Sequence, residues 1–390
     1  MNIITLSREY GAGGSEVARR LAEALGWELL DRELLHQAAA VEHVPDADLE
    51  RLDEQALGLA DRFWRHPPHE KYMRGLTEAV RQAVARGNVV LVGRGTRQLA
   101  GEAEGAFHLR LVAPQEWRVS RMAEREGWSW DQALARCDAV DRSRDRFMRY
   151  FFGAAAGRPE EFDLTVNAGR VPPEDVVACV VALANGQGEA PAPAPAAGPR
   201  VLTLAREMGA GDTGFASTLA ERLGLRAYDR ELLEQEALRL GVSEAEVEAV
   251  DEQPPGLLGR LRPGGLPRRY LETLGQLMGE LATRGNALLI GRGGGRFLRD
   301  RPGVFNVRLV AALTERVRRV MEHRWLRESA ARQLIARTDG RRGRFYAAAF
   351  GADWASPLEY HLTVNTGRLG PAAVDVVALA AARHWSRSHG

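Results

Sequence analysis

The residues with the clearest chemical potential form a glycine cluster that follows a short apolar run. Residues 3–7 read "IITLS", and the chain continues "REYGAGGSE" before an apolar stripe at helical spacing begins. A Gly-rich turn that opens a helix presents main-chain N–H groups to an anion and adds the positive end of the helix dipole. We therefore predict that this turn binds phosphate; a tight turn without a ligand is the alternative. The residues concerned are Gly11, Ala12, Gly13, Gly14 and Ser15.

Arginines form the second group of candidates. One lies in "GRG", directly after the apolar run 88–93, and others lie in the helical stretch "VDRSRDRFMRY". A guanidinium group makes forked, bidentate contacts with phosphate, so these positions suit phosphoryl-transfer chemistry. For each of them, a solvated helix face is the alternative. The residues selected are Arg94, Arg144 and Arg146.

The whole pattern occurs twice. "SREYGAGGSEVARRLAEALG" at 7–26 returns as "AREMGAGDTGFASTLAERLG" at 205–224, an offset of 198 residues that also aligns "VGRG" with "IGRG" and "LTVNAGR" with "LTVNTGR". A period of this length indicates a duplicated domain rather than a solenoid. The second copy therefore supplies equivalent candidates: Gly209, Ala210, Gly211, Thr213, Arg292, Arg342 and Arg344.

Alternating strands and helices must position these residues. Short apolar runs predict strands at 3–7, 27–31, 88–93, 106–112 and 163–167. Helical spacing predicts helices at 32–40, 71–86, 115–126, 129–150 and 173–184. Such alternation is typical of an α/β protein with a parallel sheet covered on both faces. Ligands of these sheets bind beyond the carboxyl ends of the strands, where the glycine turn and the arginines would meet.

Length and composition bound the function classes. The chain has 390 residues, and 53 basic against 52 acidic residues give a net charge of +1. We expect two domains, at 1–185 and 200–390, joined by a Pro/Ala-rich linker at 186–199. The near-neutral balance disfavours nucleic acid and membrane partners. Two distant cysteines and the absence of a leader pattern favour a cytoplasmic enzyme.

The sequence resembles the cytidylate kinase-like family, divergent relatives of cytidylate kinase among P-loop nucleoside monophosphate kinases. The resemblance rests on "ITLSREYGAGGSEVARRLAEALG", "LLDRELL", "LVGRG", "VDRSRDRFMRYFFG" and "DLTVNAGR", and it covers each copy nearly end to end. It implies a P-loop kinase-type three-layer α/β/α fold with a parallel sheet, duplicated in tandem. It also implies ATP and Mg²⁺ as cofactors and phosphoryl transfer to CMP or dCMP.

The resemblance assigns roles to particular residues. Arg94 and Arg292 would grip the acceptor's phosphate, and Asp31 and Asp229 would help to frame the acceptor. The lid arginines that reach the transferring phosphates would be Arg144, Arg146, Arg342 and Arg344. Asp141 and Asp339 open the lid segments. They would orient the arginines, contact Mg²⁺, or form ordinary helix ion pairs.

The glycine turns depart from the P-loop pattern at the lysine. Against G-x-x-x-x-G-K-[ST], the lysine position holds Gly14 in the first copy and Asp212 in the second. Arg8 and Arg206 begin the two turns and are the candidates for a substitute cation; the alternative is that Arg8 pairs with Glu9 or a neighbouring acid and only shapes the turn. Because Asp212 would repel phosphate, we expect the first copy to be the more active.

Three functions follow from these observations. The leading one is an ATP-dependent nucleoside monophosphate kinase with nucleotide substrates. A regulatory protein that binds nucleotides with weak or no transfer is the second. A kinase for another small phosphorylated acceptor is the third. Packing of the two copies on each other is also left open by the duplication.

Overall fold

The computed structural model describes residues 1–31, 68–153, 157–186, 198–211, 213–239, 268–299 and 301–388. The chain divides into two compact units, Met1–Gln187 and Gly188–Gly390. The helix predicted at 32–40, most of the predicted linker, and Asp212 lie outside the described residues. Each unit is described by itself.

The first unit alternates strands and helices. Its strands are β1 (Ile3–Arg8), β2 (Glu28–Leu30), β3 (Val89–Val92), β4 (Ala106–Val112) and β5 (Leu164–Asn167). Its helices are α1 (Gly14–Leu25), α2 (Pro68–Arg86), α3 (Thr96–Ala100), α4 (Gln115–Glu126), α5 (Trp130–Phe152) and α6 (Pro173–Ala184), and a 3₁₀ turn spans Pro159–Glu161.

The five strands form a parallel sheet in the order β2-β3-β1-β4-β5. In the centre of the sheet, Ile3 is in register with Val89 on one side and with Ala106 on the other. Every residue of β3 and of β5 is buried, as expected for parallel strands covered on both faces. The predicted α/β fold of the P-loop kinase type is confirmed.

Helices cover the sheet because each carries an apolar stripe. Val17, Ala18 and Leu21 of α1 recur at helical spacing and are buried. The helix pair α4 and α5 forms a separate small core that contains Cys137, a free and buried cysteine. Burial raises the pKa of the Cys137 thiol, which suits an apolar filler rather than a nucleophile.

The second unit repeats this arrangement. Its strands are β6 (Val201–Arg206), β7 (Arg226–Tyr228), β8 (Ala287–Ile290), β9 (Val304–Val310) and β10 (Leu362–Asn365), all parallel in the order β7-β8-β6-β9-β10. Its helices are α7 (Thr213–Leu223), α8 (Arg230–Arg239), α9 (Arg268–Arg284), α10 (Gly294–Phe297), α11 (Leu313–Arg324), α12 (Glu328–Phe350), α13 (Thr366–Leu369) and α14 (Ala372–Ser388), with a 3₁₀ turn at Pro357–Glu359.

The length and apolar character of the helices decide whether one of them could cross a membrane. Within the described residues, no helix combines the necessary length with the necessary apolar character.

Candidate functional site

The turn between β1 and α1 has the backbone form that its glycines predict. Gly11 and Gly13 adopt left-handed φ angles of 83° and 84°, and Gly13 caps α1 without a side-chain hydrogen bond. The first-turn N–H groups of α1 therefore lie at the carboxyl end of β1 without a capping side chain. In the second copy, Gly209 repeats the angle at 83°. The first turn offers the main-chain geometry that accepts an anion, whereas Gly211, the counterpart of Gly13, does not adopt a left-handed φ.

Arg8 lies beside the position of the missing lysine. A Cβ atom at residue 14 would come within 2.7 Å of Arg8 Cγ, so the stem of Arg8 covers the point where a lysine side chain would begin. Ser15 follows Gly14 and stands, exposed, at the hydroxyl position of G-x-x-x-x-G-K-[ST]. The first turn thus has the hydroxyl residue of a P-loop, but glycine in place of its lysine.

One of the predicted lid arginines of each copy, Arg144 or Arg342, reaches the glycine turn. Arg144 Nη1 donates to the carbonyl oxygen of Arg8 at 2.9 Å, and Arg342 Nη1 donates to the carbonyl oxygen of Arg206 at 2.7 Å. Arg206 Nη1 in turn donates to the carbonyl oxygen of Gly211 at 3.2 Å. Helix α5 and helix α12 are therefore fastened to the two turns in the same way.

Asp141 and Asp339 anchor the turns. Asp141 Oδ1 accepts from the main-chain N–H of Tyr10 at 2.9 Å, and its Oδ2 accepts from Arg118 Nη1 at 2.6 Å. Asp339 repeats both contacts, with Met208 N at 2.9 Å and with Arg316 Nη1 at 2.5 Å. These carboxylates are thus engaged in holding the turn, and we assign them that positional role.

A cavity of ≈ 200 Å³ opens at the carboxyl ends of β1, β3 and β4 in the first copy. Arginines reach it from five separate elements: the end of β1, the turn after β3, α3, β4 and α5. A pocket with this lining attracts an anion, because each guanidinium offers several donors. The five arginines are Arg8, Arg94, Arg97, Arg110 and Arg144.

Three carboxylates also line this cavity, and each has a partner of its own. Glu9 Oε2 accepts from the main-chain N–H of Ala113 at 3.0 Å. Asp145 pairs with Arg149 at 2.7 Å, and Asp141 holds the turn as described above. The acids therefore neutralise the arginine cluster only in part.

Arg94 lies where the sequence predicts it, in the turn between β3 and α3. Its Cζ atom is 5.8 Å from the centre of the Phe147 ring, and burial lowers the pKa of its guanidinium. Gly95 must remain glycine, because a Cβ there would lie 2.5 Å from the Phe152 ring. The aromatic residues of α5 thus hold the "GRG" turn and its arginine at the cavity.

Arg110 is a site residue that the sequence reasoning missed. It lies on β4 between Leu109 and Leu111, both fully buried, yet it lines the cavity. Its Nη1 atom is buried and has no hydrogen-bond partner among the described residues, and burial lowers its pKa. An arginine inside a predicted strand, repeated as Arg308 in the second copy, was the available signal.

The corresponding arginines of the second copy are paired with carboxylates. Arg292 forms an ion pair with Glu234 of α8. Arg308 Nη2 donates to Glu207 Oε1 at 2.9 Å, and both of these side chains are almost fully buried. In the second copy, carboxylates of the same copy therefore neutralise Arg292 and Arg308.

The second copy has a cavity of ≈ 920 Å³ on the other side of its glycine turn. Gly209 and Gly211 line it together with Arg319 of α11, which donates to Thr366 Oγ1 at 2.9 Å. Cavities of several hundred Å³ accommodate ligands of nucleotide size. This surface lies where a phosphate bound to the turn would extend.

Other predicted site residues lie outside these two cavity linings, among them the first copy's turn residues from Gly11 to Ser15 and, in the second copy, Ala210, Arg292 and Asp339. Asp31 is exposed at the end of β2, and Asp229 is exposed and accepts from the main-chain N–H of Leu232 at 3.0 Å, which caps α8. Arg146 and Arg344 are exposed on α5 and α12. Thr213 is the first residue of α7.

Comparisons with known proteins agree with this architecture. Residues 3–170 and 201–368 each match the model of the cytidylate kinase-like family. A cytidylate kinase of Natronomonas pharaonis is 30% identical over 188 residues, which cover 47% of this chain and 89% of that protein.

Two further similarities are weaker or shorter. A uronate isomerase of Corynebacterium glutamicum is 32% identical over 113 residues, or 29% of this chain, but the match spans only 22% of that protein. A shikimate kinase structure from Bacteroides thetaiotaomicron has a TM-score of 0.30 at 16% identity, and the match covers 47% of this chain and 98% of that one.

The two regions that match the family model together cover most of the chain, and each contains a five-stranded parallel sheet with a glycine turn after its central strand. The chain therefore belongs to the cytidylate kinase-like family, and it contains two tandem copies of the family's domain.

Proposed function

We propose that this chain is an ATP-dependent phosphotransferase for nucleoside monophosphates, nominally CMP or dCMP, and that its first copy performs the transfer. The convergence of five arginines on one cavity beside a phosphate-binding turn is the observation that carries the proposal. Phosphoryl transfer requires positioning and charge neutralisation above all, and this arrangement supplies both. The proposal includes a cytoplasmic location, because free nucleotides would be its substrates.

The donor nucleotide would bind at the glycine turn. The N–H groups of Gly13, Gly14 and Ser15 begin α1 and would receive the phosphates of ATP. Mg²⁺ would arrive with the nucleotide and shield its charge, with the Ser15 hydroxyl as its protein ligand. A hydroxyl oxygen is a ligand type that Mg²⁺ accepts together with phosphate oxygens.

The arginines would supply the charge that a P-loop lysine normally brings. Arg8 occupies the space beside Gly14, and Arg144 contacts the carbonyl oxygen of Arg8. Both side chains line the cavity between the turn and Arg94. An acceptor phosphate held there would face the γ-phosphorus; the new P–O bond forms as the bond to the β-phosphate oxygen breaks, leaving ADP.

For the second copy, the ion pairs favour a different function. Arg292 with Glu234 and Arg308 with Glu207 leave its acceptor side neutralised, whereas its glycine turn opens onto a large cavity. We propose that the second copy binds a nucleotide without transferring phosphate. The regulatory function considered from the sequence thus belongs to this copy.

A coupled assay of ADP formation tests the proposal. The full chain is incubated with Mg²⁺-ATP and, separately, with CMP, dCMP, UMP, AMP and a panel of small phosphorylated acceptors. We expect turnover with CMP or dCMP and its loss in Arg94→Met, while Arg125→Met, an exposed arginine on α4, retains it. Turnover only with a non-nucleotide acceptor would favour the third function, and ATP binding with no turnover at all would contradict the proposal.

A further inference from the structure

The position of Arg110 is unusual for a charged residue. Strand β4 lies between β1 and β5, with Arg110 in register with Ser7 and with Thr165. Its guanidinium lies 5.6 Å from the Phe162 ring centre, and Nη1 is buried without a hydrogen-bond partner among the described residues. A buried cation is costly unless an opposite charge or hydrogen-bond acceptors compensate it.

The second copy shows how the same arginine is compensated internally. Arg308 donates to Glu207 at 2.9 Å and to the carbonyl oxygen of Ala355 at 3.0 Å, and it lies 4.9 Å from the centre of the Trp354 ring. Carboxylate, carbonyl and ring together enclose this guanidinium. Arg308 is therefore a structural residue of its own core.

Among the described residues of the first copy, Arg110 Nη1 has no hydrogen-bond partner, although Glu9, Glu161 and Asp141 act on the guanidinium electrostatically. Its equivalent carboxylate, Glu9, binds the main-chain N–H of Ala113 instead. At the offset of 198 residues, Trp354 corresponds to Ala156 and Ala355 to Gly157. At this position of the repeat, the first copy has alanine and the second has tryptophan.

Gly157 provides the space for the guanidinium. A Cβ atom at this residue would lie 1.0 Å from Arg110 Nη1, and its φ of +99° also disfavours any other residue. Gly157, Arg110 and Phe162 line the same cavity as Arg94. Nothing larger than glycine can stand here while Arg110 keeps this position.

We propose that Arg110 binds an oxyanion of the phosphoryl acceptor, and that it forms the floor of an acceptor site found in the first copy alone. The inference rests on the proposed function, because it takes the ligand of this cavity to be the acceptor. A phosphate monoester matches the guanidinium fork and brings the negative charge that Glu207 supplies to Arg308. Glu9, Glu161 and Asp141 compensate this buried charge only from a distance, and a neutral acceptor would add no negative charge at Nη1.

Calorimetric titration of the full chain without ATP tests the inference separately from turnover. The probes are CMP, inorganic phosphate and cytidine. We expect CMP and phosphate to compete for one site, with cytidine binding much more weakly. Arg110→Met should lower the affinity for CMP and phosphate about 10- to 100-fold, the usual range for a lost charge-assisted hydrogen bond. The affinity of Arg110→Lys for CMP and phosphate should lie between those of the unchanged protein and Arg110→Met. The affinity of Arg125→Met should equal that of the unchanged protein.

Gly157→Ala provides a second route, because the added methyl group must displace the guanidinium while leaving its charge in the protein. We expect it to weaken phosphate binding as well. Unchanged CMP and phosphate affinity in Arg110→Met, or no phosphate-competable CMP binding by the unchanged protein, would overturn the inference. Competable binding that depends on Arg110 but comes with no turnover would uphold it and reject the proposed kinase function.

Discussion

The two copies agree in how they hold the glycine turn and differ in how they treat the acceptor side. In both, an aspartate of a long helix binds the turn's main chain, and an arginine of that helix binds a turn carbonyl. On the proposed acceptor side, Arg110 Nη1 of the first copy has no hydrogen-bond partner within the described residues, whereas Arg308 of the second copy donates to Glu207. The two copies therefore share the contacts that hold the glycine turn, but they differ in the contacts of the nearby arginines.

The difference teaches that arginine content alone does not identify the active copy. Arg94 and Arg292 occupy equivalent turns, and so do Arg110 and Arg308 in equivalent strands. The number of guanidinium groups is the same at these positions, and Glu9 is the counterpart of Glu207, but Glu9 accepts from the main-chain N–H of Ala113 whereas Glu207 accepts from Arg308. Glu234 and Glu207 convert a potential anion site into a set of internal ion pairs.

The largest expected contrast is in stability. Arg308→Met removes the ion pair between two almost fully buried side chains, Arg308 and Glu207, so we expect the free energy of unfolding to fall by about 3 kcal/mol. Arg110→Met removes a buried cation that forms no ion pair with any described residue, so stability should stay the same or rise by up to about 1 kcal/mol. Denaturant unfolding of the two variants measures both values.

A larger loss of unfolding free energy in Arg110→Met than in Arg308→Met would contradict this comparison of the two copies. If Arg110→Met lost as much stability as Arg308→Met, Arg110 would be a structural residue like its counterpart. Unfolding followed by two independent probes would show which unit melts first, so that each loss can be assigned to its own copy.

The second contrast concerns turnover. Arg94→Met should lower ADP formation about 100- to 1000-fold, because the acceptor's phosphate loses a preorganised cation. Arg292→Met should instead destabilise the second copy, since Glu234 then loses its ion pair. Equal losses of turnover in both variants would show that the two copies transfer phosphate alike.

The third prediction addresses the missing lysine. Gly14→Lys should destabilise the first copy by about 1–3 kcal/mol, because the new Cβ would meet Arg8 Cγ at 2.7 Å. The double variant Arg8→Gly with Gly14→Lys removes that clash and should regain most of the lost stability. Failure of the double variant to recover would show that Arg8 does not occupy the lysine's space.

The smallest effect is expected at α1. Arg121 Nη2 donates to Glu16 Oε2 at 2.8 Å, and both side chains are about one-third exposed, so Glu16→Gln should cost only about 0.5 kcal/mol. The second copy has Gly214 at this position, and its Arg319 binds Thr366 instead. A loss of unfolding free energy much above that value would mean that the Arg121–Glu16 ion pair also holds α4 against the glycine turn.

The fold was predictable because its signals are local. Apolar runs predicted the strands of the first copy to within one or two residues, and the repeat showed that they occur twice. The glycine turn was visible because left-handed φ angles and a close approach to Arg8 both require glycine. Arg94 was found because it follows a buried strand directly.

The rest depends on contacts between distant segments. Arg144 and Arg146 look alike in the sequence, but residues two apart on a helix point to different faces, so Arg144 reaches the turn and Arg146 is exposed. The pairing of Arg292 with Glu234 joins two elements separated by a long insertion, and no sequence pattern specifies it. Arg110 was overlooked because strand arginines are expected at edges rather than on a cavity floor.

The most direct test of the account is the number of acceptor sites in one chain. Calorimetric titration of the full-length protein with CMP, in the presence of a saturating non-hydrolysable ATP analogue, measures this stoichiometry. The account predicts one CMP site per chain, abolished by combining Arg94→Met with Arg110→Met. Two equivalent CMP sites, or one that survives the double substitution, would contradict it.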